Sequence, residues 1–153
     1  MQDAIIVGLG SAARGDDAAG ILVAEALAKR GFDAIASSDP TMLLPLLVQG
    51  KLLIVVDTVL GGGRAGDIVN LSPRQLDARP SCASTHGLSL TEVLRLGAAL
   101  RPQHALADVH IVGIVIEKAP CVGRDVSMTT QRAAARAANH VARMALGTRH
   151  GLR

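Results

Sequence analysis

Residues 52–57 read Leu-Leu-Ile-Val-Val-Asp, five consecutive aliphatic side chains followed by a carboxylate. An unbroken aliphatic run of this length is typical of a central strand whose two faces are both buried. A second run, Ala4–Val7, comes just before the glycine-containing sequence Gly8-Leu9-Gly10. Both runs therefore predict central strands of one sheet. Asp57 is predicted to lie at the carboxyl end of the strand formed by residues 52–56.

The rest of the chain alternates between helical and strand patterns. One helix is predicted from Asp16 to about Arg30, and Gly31 ends it. Further helices are predicted after Pro40, around Leu90–Gly97 and from about Met128 to Leu146. Further strands are predicted at Phe32–Ser37 and at Val109–Ile116. A short edge strand is predicted at Asp67–Leu71, for which an antiparallel direction is open. This alternation predicts an α/β fold, a three-layer sandwich with a mostly parallel central sheet of about five strands and helices on both faces. We expect a single α/β domain over residues 1–153.

The composition narrows the classes of function. Hydrophobic residues make up 49% of the chain, but Phe32 is the only aromatic one, so an aliphatic core is expected. The longest apolar stretches fall short of the roughly 20 residues that span a membrane. No signal peptide is recognisable, and we expect no membrane insertion. Two cysteines, Cys82 and Cys121, are too few for a disulfide framework, which favours a reducing cytoplasm.

The net charge of +3 is unevenly distributed, with basic residues concentrated after Lys118. Arg132, Arg136, His140 and Arg143 are spaced so that they share one face of the last predicted helix. No aromatic side chains are interleaved for base stacking, so nucleic-acid binding is not expected. A solvated helix face is the simplest interpretation, and a docking face for an acidic protein partner is the alternative.

Three polar positions are predicted at one edge of the sheet. The loop after the first strand leads to Asp17, Asp57 follows the strongest strand, and His86 precedes a predicted helix. Ligand sites of parallel sheets lie beyond the carboxyl ends of the strands, and two carboxylates with an imidazole suit zinc, nickel or another borderline divalent ion. Simpler roles stay open for each residue alone. Asp16 or Asp17 could cap a helix, Asp57 could cap the next turn, and His86 could be structural or solvated.

Other kinds of site are less well supported. The sequence Gly8-Leu9-Gly10-Ser11-Ala12-Ala13 matches a dinucleotide-binding fingerprint. However, the following helix is predicted to begin at Asp16, too late to place its N-terminus on a pyrophosphate, and the acids there would repel phosphate. A nucleotide-binding Rossmann-like domain is thus a minor alternative. Ser84 and Cys82 lie near His86, but neither stands in a nucleophile signature.

Four segments in this order resemble the hydrogenase maturation protease family, the endopeptidases that process the large subunit of NiFe hydrogenases. The segments are Ile6–Gly10 with Gly15–Gly20, Leu53–Asp57, Ala65–Ile68, and Ser84–Leu90. The correspondence runs from about Ala4 to Leu146, nearly the whole chain. Each segment is moderately specific, and four in order at family-like separations are much more so.

The resemblance implies that Asp17, Asp57 and His86 form both the metal site and the catalytic site of an aspartic-type endopeptidase. It implies that they sense nickel already installed in the large-subunit precursor, from which the enzyme removes a short C-terminal extension. The nickel then belongs to the substrate, and zinc or cadmium are other ions able to occupy the same ligands. A non-catalytic metal-binding or chaperone module of the same fold is the alternative, and it would bind the precursor without cutting it.

Overall fold

A computed structural model describes residues 3–79, 88–104, 106–118 and 121–150 of the chain. Its strands are β1 (Ile5–Leu9), β2 (Ala34–Ser37), β3 (Leu53–Leu60), β4 (Ile68–Leu71) and β5 (Val109–Ile116). They form one sheet in the order β2-β1-β3-β5-β4. The first four strands in that order are parallel, and β4 is an antiparallel edge strand. The predicted mostly parallel sheet of about five strands is confirmed.

Helices cover both faces of this sheet, as predicted. They are α1 (Ala19–Lys29), α2 (Leu44–Val48), α3 (Pro73–Asp77), α4 (Leu90–Leu100) and α5 (Met128–His150). Short 3-10 turns occupy Gly15–Ala18, Pro40–Leu43 and Pro102–His104. Helices α1 and α5 contribute to the hydrophobic cluster on one face, and α2 and α4 to the cluster on the other. Within the described ranges, no helix is both long enough and apolar enough to cross a membrane.

The aliphatic run in β3 is buried on both faces. Ile54 and Val56 pack into the cluster that contains α1 and α5, whereas Leu53 and Val55 pack into the cluster that contains α2 and α4. All four side chains have 0% exposure. Side chains of a strand alternate between the faces of a sheet, so a strand covered on both faces must be apolar at every position. This is why the run lacks polar alternation.

Glycines let α1 approach the sheet closely. A Cβ atom at Gly20 would lie 2.2 Å from the Leu9 carbonyl oxygen and 2.6 Å from that of Val56. A Cβ atom at Gly8 would lie 2.0 Å from the Gly20 carbonyl oxygen, and one at Gly10 would lie 2.0 Å from the Asp17 carbonyl oxygen. The sequence that matches a dinucleotide fingerprint is therefore used for strand-to-helix packing, and it holds the segment before α1 against the end of β1.

Several predicted element boundaries differ from those of the structure. Asp16 and Asp17 lie in a 3-10 turn rather than in the first turn of the helix, and neither side chain caps that turn or α1. Strand β3 does not end at Asp57 but continues to Leu60, because β5 pairs with it along its whole length. Helix α5 extends past Leu146 to residue 150. The extension of β3 depends on pairing with a strand distant in sequence, which local patterns do not reveal.

Asp16 connects the 3-10 turn to the start of α5. Its carboxylate accepts hydrogen bonds from the Ser127 backbone N–H at 2.7 Å and from the Ser127 hydroxyl at 3.0 Å. The Ser127 Oγ in turn accepts from the Thr130 N–H at 3.2 Å, which makes Ser127 the N-cap of α5. Asp16 therefore has a structural role: it does not cap a helix itself but holds Ser127, the N-cap residue of α5.

Asp16→Ala is expected to lower the free energy of unfolding by about 1–2 kcal/mol, because it removes a charged acceptor from the N-cap of α5. Urea unfolding followed by circular dichroism measures the change. Asp125→Ala is the matched control, since Asp125 is an exposed acid two residues before Ser127. Equal losses in the two variants would contradict the proposed connection.

The basic face of α5 is partly used inside the fold. Arg136 donates from Nη2 to the Gly66 carbonyl oxygen at 2.7 Å, and His140 Nε2 lies 2.8 Å from Asn70 Oδ1. These contacts fix α5 against β4 and the loop before it. Arg132 and Arg143 are exposed. The alternative of partner docking on this face therefore rests on Arg132 and Arg143 more than on the middle of the face, and it stays a hypothesis.

Candidate functional site

The site lies where the connections of the sheet change direction. From β1 the chain crosses to β2 on one side and then returns to β3 on the other side of β1. In doubly wound sheets such a switch point opens a crevice beyond the carboxyl ends of the strands. β1 pairs with β3 as far as Gly8 opposite Val56, whereas β5 continues from Gly113 opposite Asp57. Asp57 is thus the first residue of β3 beyond its pairing with β1.

Asp17 and Asp57 reach this end of the sheet from opposite layers. Asp17 comes from the turn that leads into α1, and Asp57 alternates with Val56 along β3, on the side of Val55 and the α4 layer. Thr58 joins them. Its hydroxyl donates to Asp17 Oδ1 at 3.1 Å, and its backbone N–H donates to Asp57 Oδ1 at 2.8 Å. The two predicted acids are therefore neighbours in the structure, as expected from the edge that they share.

Asp57 has strongly altered acid–base properties. Burial raises its pKa to about 7, and the negative charge of Asp17 adds to the rise, while the Thr58 N–H opposes it. Burial raises the pKa because the charged form loses contact with water. At neutral pH, Asp57 is consequently close to the midpoint of its titration.

The pKa of Asp17 is also raised. Burial raises the pKa of Asp17, and three groups oppose the rise: the Thr58 hydroxyl, the Arg14 guanidinium and the Ser11 backbone N–H. Two neighbouring carboxylates that are both partly desolvated repel each other, and a divalent cation between them would remove that repulsion. The chemistry of the pair therefore fits a cation held by oxygen ligands.

His86, the third predicted ligand, lies outside the described residues, as do Cys82 and Ser84. Within the described ranges, no group of three or more metal-ligating side chains occurs. The acid pair thus provides two of the three predicted ligands. Helix α4, which begins four residues after His86 in the sequence, covers the face of the sheet toward which Asp57 points.

Thr58 and Arg14 are site residues that sequence analysis missed. Thr58 directly follows Asp57, and a strand ending at Asp57 gave no reason to consider it. Recognising that β3 continues would have placed the Thr58 side chain on the opposite face from Asp57, toward α1. Arg14 carried no signal, because a single arginine in a loop is usually solvated.

Thr58→Val is expected to raise the pKa of Asp17 further, because the lost hydroxyl stabilises the charged form of that carboxyl. Titration of the side-chain carboxyl carbons by NMR measures the change. Thr58→Ser keeps the hydroxyl and is expected to leave the Asp17 pKa close to that of the parent. If serine and valine had the same effect, the hydrogen bond would not be what stabilises the Asp17 carboxylate.

Fold and site together define a doubly wound α/β domain with a carboxylate pair at its switch point. A family model described as hydrogenase maturation protease matches residues 33–144. Because this match covers well over half of the chain, the chain belongs to the hydrogenase maturation protease family. The predicted assignment to the peptidases is thereby confirmed. Asp57 and His86 lie within the matched range, and Asp17 lies before it.

Solved structures with the same fold include proteases of this kind. The NiFe hydrogenase maturation protease HybD from Thermococcus kodakarensis is 23% identical, with a TM-score of 0.73 over 95% of this chain and 99% of that one. HycI from Thermococcus kodakarensis KOD1 is 25% identical, with a TM-score of 0.69 over 94% and 92%. The hydrogenase maturating endopeptidase HybD from E. coli is 21% identical, with a TM-score of 0.70 over 92% and 90%. Among curated protein sequences, none matches this chain.

Proposed function

We propose that this chain is a single-domain cytoplasmic endopeptidase that removes a short C-terminal extension from the nickel-loaded large-subunit precursor of a NiFe hydrogenase. In this proposal, Asp17, Asp57 and His86 contact the nickel of the substrate and thereby make cleavage depend on its presence. The observation that carries the proposal is the pair of partly buried carboxyls at the switch point, in a chain of the hydrogenase maturation protease family.

The acid pair is suited to sensing a cation that arrives with another protein. Without a cation, burial and mutual repulsion make the doubly charged state of Asp17 and Asp57 unfavourable. A divalent ion between the two carboxylates makes the doubly charged state favourable, because each carboxylate is attracted to the ion. The acid pair therefore favours binding of the precursor that carries nickel. Imidazole and carboxylate ligands suit nickel, and His86 is the third ligand that we propose. Nickel in this position is part of the substrate, and it can polarise the carbonyl of the bond to be cut.

Intact mass spectrometry tests the proposal directly. The protein is incubated with nickel-loaded and with nickel-free precursor, and loss of a C-terminal peptide is expected only from the loaded form. A bound precursor of unchanged mass would instead indicate a non-catalytic binding module. His86→Ala is expected to abolish cleavage while the circular dichroism spectrum stays that of the parent. Cleavage by His86→Ala at the parent rate would remove His86 from the site.

Nickel binding by the isolated protein is expected to strengthen with pH. A proton on Asp57 competes with the metal, and its pKa of about 7 places the change in the neutral range. Between pH 6 and pH 8 the ionised fraction of such a group rises about tenfold, so the affinity for nickel should rise by at least that factor. Calorimetric titration with nickel at the two pH values measures it. Asp57→Asn removes the titrating carboxyl at residue 57, so the nickel affinity of this variant should depend less on pH. If its affinity depended on pH as strongly as that of the parent, protonation of Asp57 would not be the cause.

A further inference from the structure

The outer half of β3 is paired on one side only within the described residues. β1 accompanies β3 as far as Val56, but β5 accompanies it through Leu60 opposite Ile116. Residues 57–60 therefore have an edge, on the β1 side, that no described strand covers. This edge begins at Asp57, so it is continuous with the acid pair.

The backbone groups on this edge follow from the pairing on the other side. The Leu53 N–H donates to the Asp108 carbonyl at 2.8 Å, and the Gly61 N–H donates to the Ile116 carbonyl at 3.0 Å. Both acceptors are on the β5 side of β3. Backbone groups of successive residues in a strand point to opposite sides, so the odd-numbered residues of β3 face β5 and the even-numbered ones face β1.

Thr58 and Leu60 are the even-numbered residues beyond the end of β1. The Thr58 N–H is already occupied, because it donates to the Asp57 carboxylate at 2.8 Å. The Thr58 carbonyl and both backbone groups of Leu60 face the same side, where no described strand pairs with them. The Leu60 side chain is 38% exposed. Natural proteins usually protect such edges with charge, proline or a bulge, and the sequence Thr58-Val59-Leu60 carries no charge and no proline.

We propose that the extended segment around the cleavage site of the precursor binds this edge as an added β-strand. Its backbone would bond to the Thr58 carbonyl and to the N–H and carbonyl of Leu60. This inference rests on the proposed function and specifies how the polypeptide substrate is held. An added strand would lie beside residues 58–60 on the β1 side of β3, next to Asp17, whose carboxylate accepts from the Thr58 hydroxyl. At about 3.3 Å per residue, Leu60 lies about 10 Å along the strand from Asp57, so the bond to be cut is within about three residues of the paired segment.

An extended polypeptide is the occupant that this edge fits best. Strand addition supplies main-chain hydrogen bonds whatever the side chains are, and it holds the peptide straight, with its carbonyl groups accessible. The family match requires a polypeptide substrate, because the chain is a protease. The two outer edges of the described sheet are formed by β2, which lies on the far side of β1 from Asp57, and by β4, which lies beyond β5.

Proline substitution at Leu60 tests the pairing. Proline removes the Leu60 N–H without removing a bond to β5, because that N–H faces away from β5. Proline is tolerated in edge strands where the N–H points outward. With nickel-loaded precursor as the substrate, Leu60→Pro is expected to raise KM at least tenfold and to change kcat by less than twofold. Replacing Leu60 by its α-hydroxy analogue, which converts the N–H into an ester oxygen, removes the same donor with less disturbance and should give the same KM.

Ala36→Pro is the matched control, because Ala36 lies in β2, which forms an outer edge of the sheet. Backbone bonds from Ile6 to Asp33 and from Gly10 to Ser37 show that the odd-numbered residues of β2 face β1, so the Ala36 N–H faces outward. Ala36 is exposed, and its substitution is expected to leave KM unchanged.

The outcomes separate the two proposals. If the parent protein does not cleave the loaded precursor, the proposed function fails, and the strand-addition inference fails with it. If the parent cleaves but removal of the Leu60 N–H leaves KM unchanged, or if Ala36→Pro raises KM instead, strand addition at β3 is wrong and the proposed function stands.

Discussion

Asp57→Asn is expected to stop release of the C-terminal peptide from nickel-loaded precursor and, at the same time, to make the free protein more stable at pH 8. Loss of processing follows because a neutral amide can neither neutralise the nickel nor take up a proton. The gain in stability follows because the parent buries a carboxyl that is mostly ionised at pH 8. Asparagine keeps the size of the side chain and retains an oxygen that can accept from the Thr58 N–H.

The sign of the pH dependence follows from the pKa of Asp57. Its value of about 7 in the folded protein is above the ordinary value of 3.8. The folded state therefore binds the proton more tightly than the unfolded state, so the contribution of Asp57 to stability is present below about pH 4 and is lost as the pH rises to 7. We expect Asp57→Asn to exceed the parent by about 2–4 kcal/mol at pH 8 and to differ little from it at pH 4.

Urea unfolding at pH 4 and pH 8, together with the intact-mass assay, measures both effects. Asp125→Asn is the control, because Asp125 is an exposed acid whose replacement should change neither processing nor the pH dependence of stability. A stability difference between Asp57→Asn and the parent that is the same at both pH values would contradict the effect of burial. Processing at the parent rate would remove Asp57 from the catalytic site.

Gly20→Ala is expected to destabilise the protein by about 2–3 kcal/mol and to reduce processing at least tenfold. The new Cβ atom would lie 2.2 Å from the Leu9 carbonyl oxygen and 2.6 Å from the Val56 carbonyl oxygen. Both atoms belong to the backbone of paired strands and cannot move aside without breaking the sheet. Helix α1 must shift outward instead, and Asp17, three residues before Gly20, moves with it.

Gly147→Ala is the matched control for this substitution. Gly147 lies in α5, it is exposed, and a Cβ atom there would have nothing within 4 Å. Alanine favours the helix by about 0.5–1 kcal/mol over glycine, so this variant should be slightly more stable than the parent and equally active. Thermal unfolding and the processing assay compare the two. Parent-like stability in Gly20→Ala would show that the contact between α1 and the sheet is not tight.

Sequence patterns predicted part of the site well. Asp17 and Asp57 were placed at one edge because the carboxyl ends of parallel strands meet there, and the structure brings them together. Patterns could not identify Thr58 as the residue that contacts both acids, because this depends on β3 continuing beyond β1. The bond from Asp16 to Ser127 spans 111 positions, and no local signal indicates a contact at that separation. The ligand role of His86 stays a prediction.

The sequence by itself determined the class of fold, and tertiary structure decided the composition of the site. Local properties predict the elements: the aliphatic runs of β1 and β3, the periodicity of α4 and the helix end at Gly31. A strand buried on both faces needs apolar residues throughout, and a helix buried on one face needs them at helical spacing. Which polar groups meet, and at what pKa, depends on where paired strands end relative to one another. β1 ends at Leu9 while β3 continues to Leu60, so Asp57 lies just beyond the pairing with β1, and residues 57–60 have no described strand on that side. Burial at this position raises the pKa of Asp57.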